Sequence, residues 1–336
     1  MRSFLRFIAV VVLALGAWLL WGLVIPRRAP QPAAGQPPAT VLLRPGWSSR
    51  RIAGELQSAG VIPSARAFLL LHAIRLRRLK AGEYLFDRPA TAIQVYNRIA
   101  LGDIYFHTVT VPEGFNMFDI AAAVQQAGLG PAADFLKAAG DPTSIHDLDP
   151  QARSLEGYLF PDTYQFTRAQ SMQDMAGEML RQFRQKGRAL GLVPAPGSPP
   201  TTDLHALVTM ASIVEKETSA PEERPLIAGV YYNRLQHRIA LQADPSVIYA
   251  AQLAGRYSGE IHRSDLDADS PYNTYKYPGL PPGPICNPGE ASLQAAMHPA
   301  QTDYLYFVSD NNGHHRFAAT LDEHAKNVQA YRRGRR

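Results

Sequence analysis

The hydrophobic pattern of the chain begins with FIAVVVLALGAWLLWGLVIP, Phe7 to Pro26, a segment without a charged residue. A helix rises about 1.5 Å per residue, so about 20 such residues cross the hydrocarbon core of a bilayer. This apolar stretch is longer than the roughly 7–15 residues of the apolar core of a cleaved signal peptide, and no clear A-x-A cleavage site follows it. The pattern predicts an uncleaved transmembrane anchor within residues 1–26.

The next segment, RRAPQPAAGQPPAT (residues 27–40), is rich in Pro and Ala and has no hydrophobic period. It predicts an extended spacer that holds the rest of the chain off the membrane. Arg2 and Arg6 precede the anchor, while Arg27 and Arg28 follow it. Because these numbers are nearly equal, the positive-inside rule does not fix the orientation.

A repeated pattern follows the spacer. PGWSSRRIAGELQSAG (Pro45 to Gly60) and EGFNMFDIAAAVQQAG (Glu113 to Gly128) share, in register, a Gly-aromatic pair, an Ile-Ala pair, an aliphatic residue, a Gln and a closing Ala-Gly. Each copy predicts a short strand, a turn at glycine, a polar cap at Ser48 or Asn116, and an amphipathic helix ended by glycine. One supersecondary unit is therefore used twice.

Between the two copies, LKAGEYLFDRP (Leu79 to Pro89) has a β pattern, and ATAIQVYNRIALG predicts a helix that ends at Gly102. Residues 41–150 are thus expected to form a small α+β module. Because this part contains no cluster of acids or histidines, it is interpreted as a structural or binding module without catalysis of its own.

The sequence pattern changes from about Leu155, and a second α+β domain is expected over residues 151–336. Its first motif, LEGYLFPDTYQF, places aromatic residues around Glu156 and Asp162. A helix of the sequence SMQDMAGEMLRQFRQKGRALG and a Pro-rich loop follow. Thr201, Thr202 or Asp203 can cap the helix that comes next.

That next helix, DLHALVTMASIVEKET, ends with two acids, Glu215 and Glu217. On a helical wheel Glu217 falls inside a broad apolar arc and Glu215 lies near the same arc, so periodicity favours neither strongly. Burial against apolar neighbours raises a carboxyl pKa toward roughly 6–7, as a general acid at neutral pH requires. The alternative is a frayed helix end with two solvated acids.

The amino-acid composition excludes some classes of function. The chain has 336 residues, 46% of them hydrophobic, and a formal charge of +5 that is partly due to arginines at its C-terminal end. These values are typical of a globular protein of two or more domains. The basic residues do not show the clustered pattern that is typical of a nucleic-acid-binding surface.

The cysteine and histidine residues do not indicate a metal site or a catalytic thiol. The single cysteine, Cys286, excludes an internal disulfide and has no basic neighbour in sequence, so a small packed residue is expected. Four histidines of the C-terminal part, His298, His314, His315 and His324, lack metal-binding spacing. No metal site is predicted.

Seven motifs between Leu155 and Val328 resemble the YceG-like family of membrane-anchored endolytic murein transglycosylases. They are EGYLFPDTY, ASIVEKET, VYYNRL, LQADPSVIYA, YNTYKYPGLPPGPICNPG, AAMHPAQTDYLYFVSD and HRFAATLDEHAKNV. The resemblance implies that Glu217 is the catalytic acid and that Glu215 has a supporting role. It also implies a LysM-like module at 41–150, a catalytic domain on the periplasmic side of the inner membrane, and no cofactor.

By the same resemblance, Glu217 would protonate the oxygen between N-acetylmuramic acid and N-acetylglucosamine and then act as base on the muramic C6 hydroxyl. The product would be a 1,6-anhydro end, so the enzyme would be a lyase. Peptidoglycan strands are the expected partner, and peptidoglycan synthases are candidate protein partners.

Polar and aromatic residues suited to N-acetyl sugars complete the predicted site. They are Gln242, Asp244, Ser246, Asn233, Tyr272, Asn273, Thr274, Tyr275 and Glu156. Asp244 precedes Pro245, so a turn or capping role is an equal alternative. Asn233 can line a cleft or only satisfy backbone groups.

Two other functions stay open at this point. One is a hydrolytic muramidase that uses Asp244 as a second carboxylate, since glycoside cleavage ordinarily employs two. The other is a non-catalytic glycan-binding scaffold for wall synthesis.

Overall fold

The computed structural model describes residues 2–27, 40–194 and 203–334. Thr201 and Thr202 lie outside these ranges, as does most of the predicted spacer. The helices are α1 (Arg2–Val24), α2 (Ser49–Ser58), α3 (Ala65–Arg75), α4 (Ala92–Leu101), α5 (Met117–Gln126), α6 (Ala132–Ala139), α7 (Met172–Ala189), α8 (Leu204–Glu217), α9 (Arg224–Gln236), α10 (Asp244–Leu253), α11 (Arg263–Leu266), α12 (Glu290–Met297) and α13 (Leu321–Gly334).

The strands are short and pair two by two. They are β1 (Thr40–Leu43), β2 (Gly82–Leu85), β3 (His107–Thr110), β4 (Thr163–Phe166), β5 (Tyr306–Ser309) and β6 (His315–Ala318). The sheets are β1-β2, β3-β4 and β5-β6, and the first and third are antiparallel. The predicted α+β class is confirmed, as are the β-segment at β2 and the helix that ends before Gly102.

The chain divides into two compact units, and the division runs through β3 and β4. The first unit contains the described residues up to Thr108 together with Gln165–Ser171. Its core lies between the β1-β2 sheet and helices α2, α3 and α4, where large side chains are fully buried. These include Leu43, Leu56, Phe68, Tyr84 and Tyr96.

Helix α1 has the length and composition of a membrane span. Within the described residues, Ser3–Val24 is the one helix apolar enough to cross a bilayer, with a mean hydropathy of 2.5. Its C-terminal end contacts α3 and α4. Arg27 then exchanges two backbone hydrogen bonds with Ala90, at 2.9 and 2.8 Å. The end of α1 and Arg27, the first residue of the predicted spacer, are therefore attached to the first unit.

Both copies of the repeat have the predicted local structure. Ser48 caps α2 by accepting a hydrogen bond from the Arg51 amide, and Asn116 caps α5 by accepting from two amides. Gly60 and Gly128 follow the two helices with φ of 69° and 73°, a region in which glycine carries no Cβ penalty.

The two copies nevertheless belong to different units. The second unit contains Val109–Tyr164 and the described residues from Met172 onward, so it includes α5. Helix α5 contacts α6, which contacts α7. The expected end of the module at residue 150 thus does not coincide with the division between the two units. The relation of residues 41–150 to LysM modules stays a prediction.

The seven motifs between Leu155 and Val328 all lie in the second unit, where α8 forms the centre of a helical group. It contacts α9, α10 and α12, while α13 covers the β5-β6 sheet and α9 contacts β5. Asp203 caps α8 by accepting from the Ala206 amide at 3.0 Å, as one of the sequence alternatives predicted.

Candidate active site

The C-terminal end of α8 carries Glu217 into a cavity of about 260 Å³. Most of α8 is buried, including Val208, Met210 and Ile213, and the helix ends where Thr218 adopts an extended conformation. The cavity is lined by Glu217, Tyr231, Arg234, Leu241, Gln242, Asp244, Tyr275, Phe307 and His324. Residues distant in sequence therefore meet around one half-buried carboxyl.

The surroundings of Glu217 favour its protonated form. Desolvation by burial is the main cause that raises its pKa from 4.5 to about 7, and the negative charge of Asp244 acts in the same direction. A hydrogen bond from Tyr231 and the positive charge of Arg234 partly oppose this rise. A carboxyl with this pKa can give and take a proton near neutral pH, as acid-base catalysis requires.

Tyr231 and Arg234 lie one turn apart on α9 and support the carboxyl. The buried Tyr231 hydroxyl donates to Oε1 of Glu217 at 2.6 Å. Arg234 donates from Nε to the Leu305 carbonyl at 2.6 Å and from Nη1 to the Leu241 carbonyl at 2.7 Å. Because these carbonyls hold the guanidinium, its positive charge stays in place without forming an ion pair with Glu217.

Three predicted residues form the exposed rim of the cavity: Gln242, Asp244 and Tyr275. Asp244 is the first residue of α10, and its Oδ1 accepts a hydrogen bond from the Tyr275 hydroxyl at 2.6 Å. Its side chain does not cap the helix. Gln242 has a left-handed backbone with φ of 52°. Strained backbone of this kind persists where the surrounding structure holds it, often at functional sites.

Three other predicted residues lie beneath this rim and are fully buried: Ser246, Asn273 and Thr274. The Thr274 hydroxyl accepts from the Ala243 amide and lies 2.9 Å from the Ser246 hydroxyl. Asn273 donates to two carbonyls of the preceding loop and accepts from the Tyr275 amide at 3.1 Å. These contacts hold the two loops that present Asp244 and Tyr275.

The remaining predicted residues do not line this cavity. Asn233 donates to the carbonyls of Thr302 at 2.6 Å and Tyr304 at 3.0 Å, and it lines a separate cavity of about 500 Å³. Tyr272 packs against Tyr249, with ring centroids 5.1 Å apart. Their predicted contact with substrate stays a prediction.

Glu156 is a second carboxyl with a perturbed pKa, but it is buried elsewhere in the second unit. Desolvation raises its pKa to about 8. It accepts hydrogen bonds from the Met117 amide at 2.9 Å, the Tyr249 hydroxyl at 3.0 Å and the Asn287 amide group at 2.9 Å. These bonds join α5, α10 and the segment before α12.

Glu215 differs from Glu217 because it has a cationic partner. Its side chain is 5% exposed and accepts from the Arg224 guanidinium at 3.2 Å and from the Gly289 amide at 2.9 Å. A buried carboxylate paired in this way is positioned to connect α8 with its neighbours. The structure therefore separates two acids that the helical wheel left undecided.

Sequence reasoning missed five cavity residues: Tyr231, Arg234, Leu241, Phe307 and His324. The first two share one helical face in VYYNRL, and this spacing was the available signal. Phe307 and His324 come from β5 and α13, and no local pattern connects them to α8. His324 stacks on Tyr306, and within the described chain its buried Nδ1 has no hydrogen-bond partner.

Cys286 is confirmed as a packed residue. Its side chain is fully buried, and Sγ lies 3.2 Å from the Ser212 carbonyl. Burial raises the pKa of this thiol well above its usual range. Across the described ranges, no group of three or more His, Cys, Asp or Glu side chains is arranged to hold a metal ion.

The left-handed conformation of Gln242 leads to a first prediction. Gln242→Val should lower the free energy of unfolding by about 1–3 kcal/mol, because a β-branched residue is disfavoured at positive φ. Gln242→Asn is the control, since Asn tolerates this region. Chemical denaturation followed by circular dichroism measures both. Equal stability of the two variants would contradict the strain at this position.

The comparisons with known proteins agree with one another. The profile of the YceG-like family matches residues 41–330. An endolytic murein transglycosylase of Bacillus subtilis is 34% identical over 303 residues, which cover 85% of this chain and 82% of that protein. An endolytic murein transglycosylase of Streptococcus pneumoniae is 30% identical over 356 residues, covering 97% of this chain and 64% of the longer relative.

A solved structure is also similar. The crystal structure of a yceG-like protein from Listeria monocytogenes has a TM-score of 0.55 and 33% sequence identity. The match covers 86% of this chain and 98% of the Listeria chain.

Proposed function

The chain belongs to the YceG-like family, and from this membership and the cavity around Glu217 we propose that it is a lytic transglycosylase of peptidoglycan. The relatives from Bacillus subtilis and Streptococcus pneumoniae are named endolytic murein transglycosylases. The observation that carries the proposal is a half-buried glutamic acid with a pKa of about 7 at the base of a cavity with a polar rim.

Glu217 performs two proton transfers in this proposal. Protonated, it gives its proton to the oxygen between N-acetylmuramic acid and N-acetylglucosamine as the C1–O bond breaks. Ionised, it takes the proton from the C6 hydroxyl of the muramic residue while O6 bonds to C1. The carboxyl regains its starting state, no water is consumed, and one product ends in a 1,6-anhydro sugar.

The other cavity residues support these transfers. Tyr231 orients the carboxyl through its hydrogen bond, and the fixed charge of Arg234 stabilises the ionised state between the two steps. Gln242, Asp244 and Tyr275 face solvent, so they are placed to hydrogen-bond sugar groups.

The muramidase alternative has one observation in its favour, because Asp244 lines the same cavity as Glu217. The two reactions differ in product mass. Hydrolysis adds one water and leaves a reducing end, whereas the lyase gives anhydro ends.

We therefore predict that mass spectrometry of digested nascent strands will find anhydro-muramic ends and no added water. Products made in H₂¹⁸O should carry no ¹⁸O. Reducing ends that contain ¹⁸O would instead establish hydrolysis, and uncut strands would favour the scaffold. Strands digested by a known muramidase in the same solvent serve as the control for label incorporation.

The proposal also includes the location of the protein in the cell membrane. Helix α1 is proposed to be a single membrane span with the second unit on the extracytoplasmic side, where peptidoglycan is located. Its length and apolar composition support the span. Residues 41–150 are proposed to act as a LysM-like glycan-binding module, and peptidoglycan synthases remain the proposed protein partners.

A further inference from the structure

The surface of α3 carries an unusual concentration of exposed apolar side chains. Leu70 is 42% exposed, Ile74 is 72% exposed and Leu76, the C-cap residue, is 80% exposed. Together with the exposed Arg77 and Arg78 they form what we call the α3 patch. Apolar residues grouped in this way on a soluble face indicate an interaction surface.

The conformation of Leu76 strengthens this interpretation. Its φ of 50° lies in the left-handed region, where helices usually place glycine and a bulky residue is an outlier. A leucine here is unfavourable for the backbone and for hydration together. The hydration penalty is removed if the side chain leaves water when the protein binds its partner, and that gain offsets the cost of the backbone conformation.

The charge of the patch indicates the chemistry of that partner. The segment from Ser64 to Ala81, SARAFLLLHAIRLRRLKA, contains five Arg or Lys residues and no Asp or Glu. A helix that combines exposed leucines with clustered arginines is suited to the headgroup region of an anionic bilayer.

The α3 patch lies beside the end of α1, so the membrane that α1 is proposed to span is the surface that the patch can contact. A Cβ at Gly22 of α1 would lie 2.7 Å from the Ala67 Cβ, so the two helices touch there. Ala67, Leu70 and Ile74 follow at i, i+3 and i+7 on one helical face. The face that receives the end of α1 therefore continues directly into the α3 patch.

We propose that the α3 patch binds the anionic surface of the membrane that α1 spans. Leu70, Ile74 and Leu76 enter the headgroup boundary, and Arg77 and Arg78 contact lipid phosphates. The first unit then has a second attachment to the membrane, which fixes its orientation relative to the bilayer. This inference rests on the proposed role of α1 as an anchor.

The test uses the full chain in nanodiscs that contain phosphatidylglycerol. A polarity-sensitive fluorophore is placed at Ile74→Cys and, separately, at Leu13→Cys in α1 and at Glu55→Cys on the polar face of α2. Cys286 is fully buried, so the introduced thiol is the reactive one. We expect doxyl-lipid quenching at position 74 to be at least about two-fold stronger than at position 55.

Each outcome has a distinct meaning. Quenching at 13 and 74 supports the proposal, whereas quenching at 13 with none at 74 overturns it and leaves the anchor intact. Absence of quenching at both positions overturns both ideas. If position 74 responds only to an added protein or to glycan strands, the surface serves that partner and the lipid proposal is wrong.

A charge test complements the depth measurement. Arg77→Gln with Arg78→Gln should reduce quenching at position 74 by about two-fold or more in phosphatidylglycerol, with little change in phosphatidylcholine. The control pair is Arg50→Gln with Arg51→Gln, which removes the same charge from the exposed face of α2. Equal loss for both pairs would show only a general effect of net charge and would overturn the assigned role of Arg77 and Arg78.

Discussion

Glu217→Gln is expected to lower the rate of strand cleavage by at least about 10²-fold, and by up to roughly 10⁴-fold. The amide keeps the shape of the side chain and can still accept the Tyr231 hydrogen bond. It can neither donate a proton to the glycosidic oxygen nor accept one from the C6 hydroxyl. Anhydro-product formation from nascent strands, at saturating substrate, measures the loss.

The same substitution should increase stability at high pH. The wild-type pKa of Glu217 is raised from 4.5 to about 7 on folding, so the folded state binds the proton more tightly. Ionising it in the folded protein therefore costs about 3 kcal/mol above pH 7, at about 1.4 kcal/mol for each tenfold change in acidity. Below about pH 4.5 the carboxyl is protonated in both states and this difference vanishes. Denaturation of the matched pair at pH 8 and pH 4 checks the sign.

Glu215→Gln is the matched control on the same helix. Its partners are Arg224 and the Gly289 amide, so the variant should lose stability, by about 1–3 kcal/mol, while cleavage is retained. A loss of cleavage in the folded Glu215 variant, with turnover retained in Glu217→Gln, would transfer the catalytic role to Glu215. Equal stability of Glu217→Gln and wild type at pH 8 would contradict the burial argument.

The sequence predicted the local elements of this fold well. The copies of the repeat end at glycine and begin at Ser48 and Asn116 because caps and left-handed turns depend on nearby residues. The division between units could not be predicted in the same way. It depends on tertiary packing of α5 against α6, which no short pattern encodes.

The candidate site, too, could be predicted from the sequence only in part. Periodicity placed both Glu215 and Glu217 near the apolar face, and only the tertiary location of Arg224 distinguishes them. The polar residues Ser246 and Thr274 match a sugar site by type, yet both are fully buried and bond one another and Ala243. Small polar residues serve loops as readily as ligands, so residue type alone does not separate these roles.

The neighbours of Glu217 should move the pH dependence of cleavage in opposite directions. In the proposed mechanism cleavage requires protonated Glu217, so kcat/KM of the wild type should fall as the pH rises through about 7. Asp244 raises the pKa of Glu217 through its negative charge, and Asp244→Asn should therefore move this fall to lower pH. Tyr231 lowers that pKa because its hydroxyl stabilises the ionised carboxylate, and Tyr231→Phe should move the fall to higher pH.

Tyr232→Phe provides the control for this pair of shifts. Tyr232 lies beside Tyr231 on α9, but its hydroxyl donates to the Ala296 carbonyl at 3.0 Å and does not line the cavity of Glu217. Its profile should match the wild type, although the same chemical group is removed. A common shift in all three variants would indicate a general change in structure. Opposite shifts for Asp244 and Tyr231 require a titrating group whose pKa depends on both, and Glu217 accepts the Tyr231 hydrogen bond while its pKa is raised by the charge of Asp244.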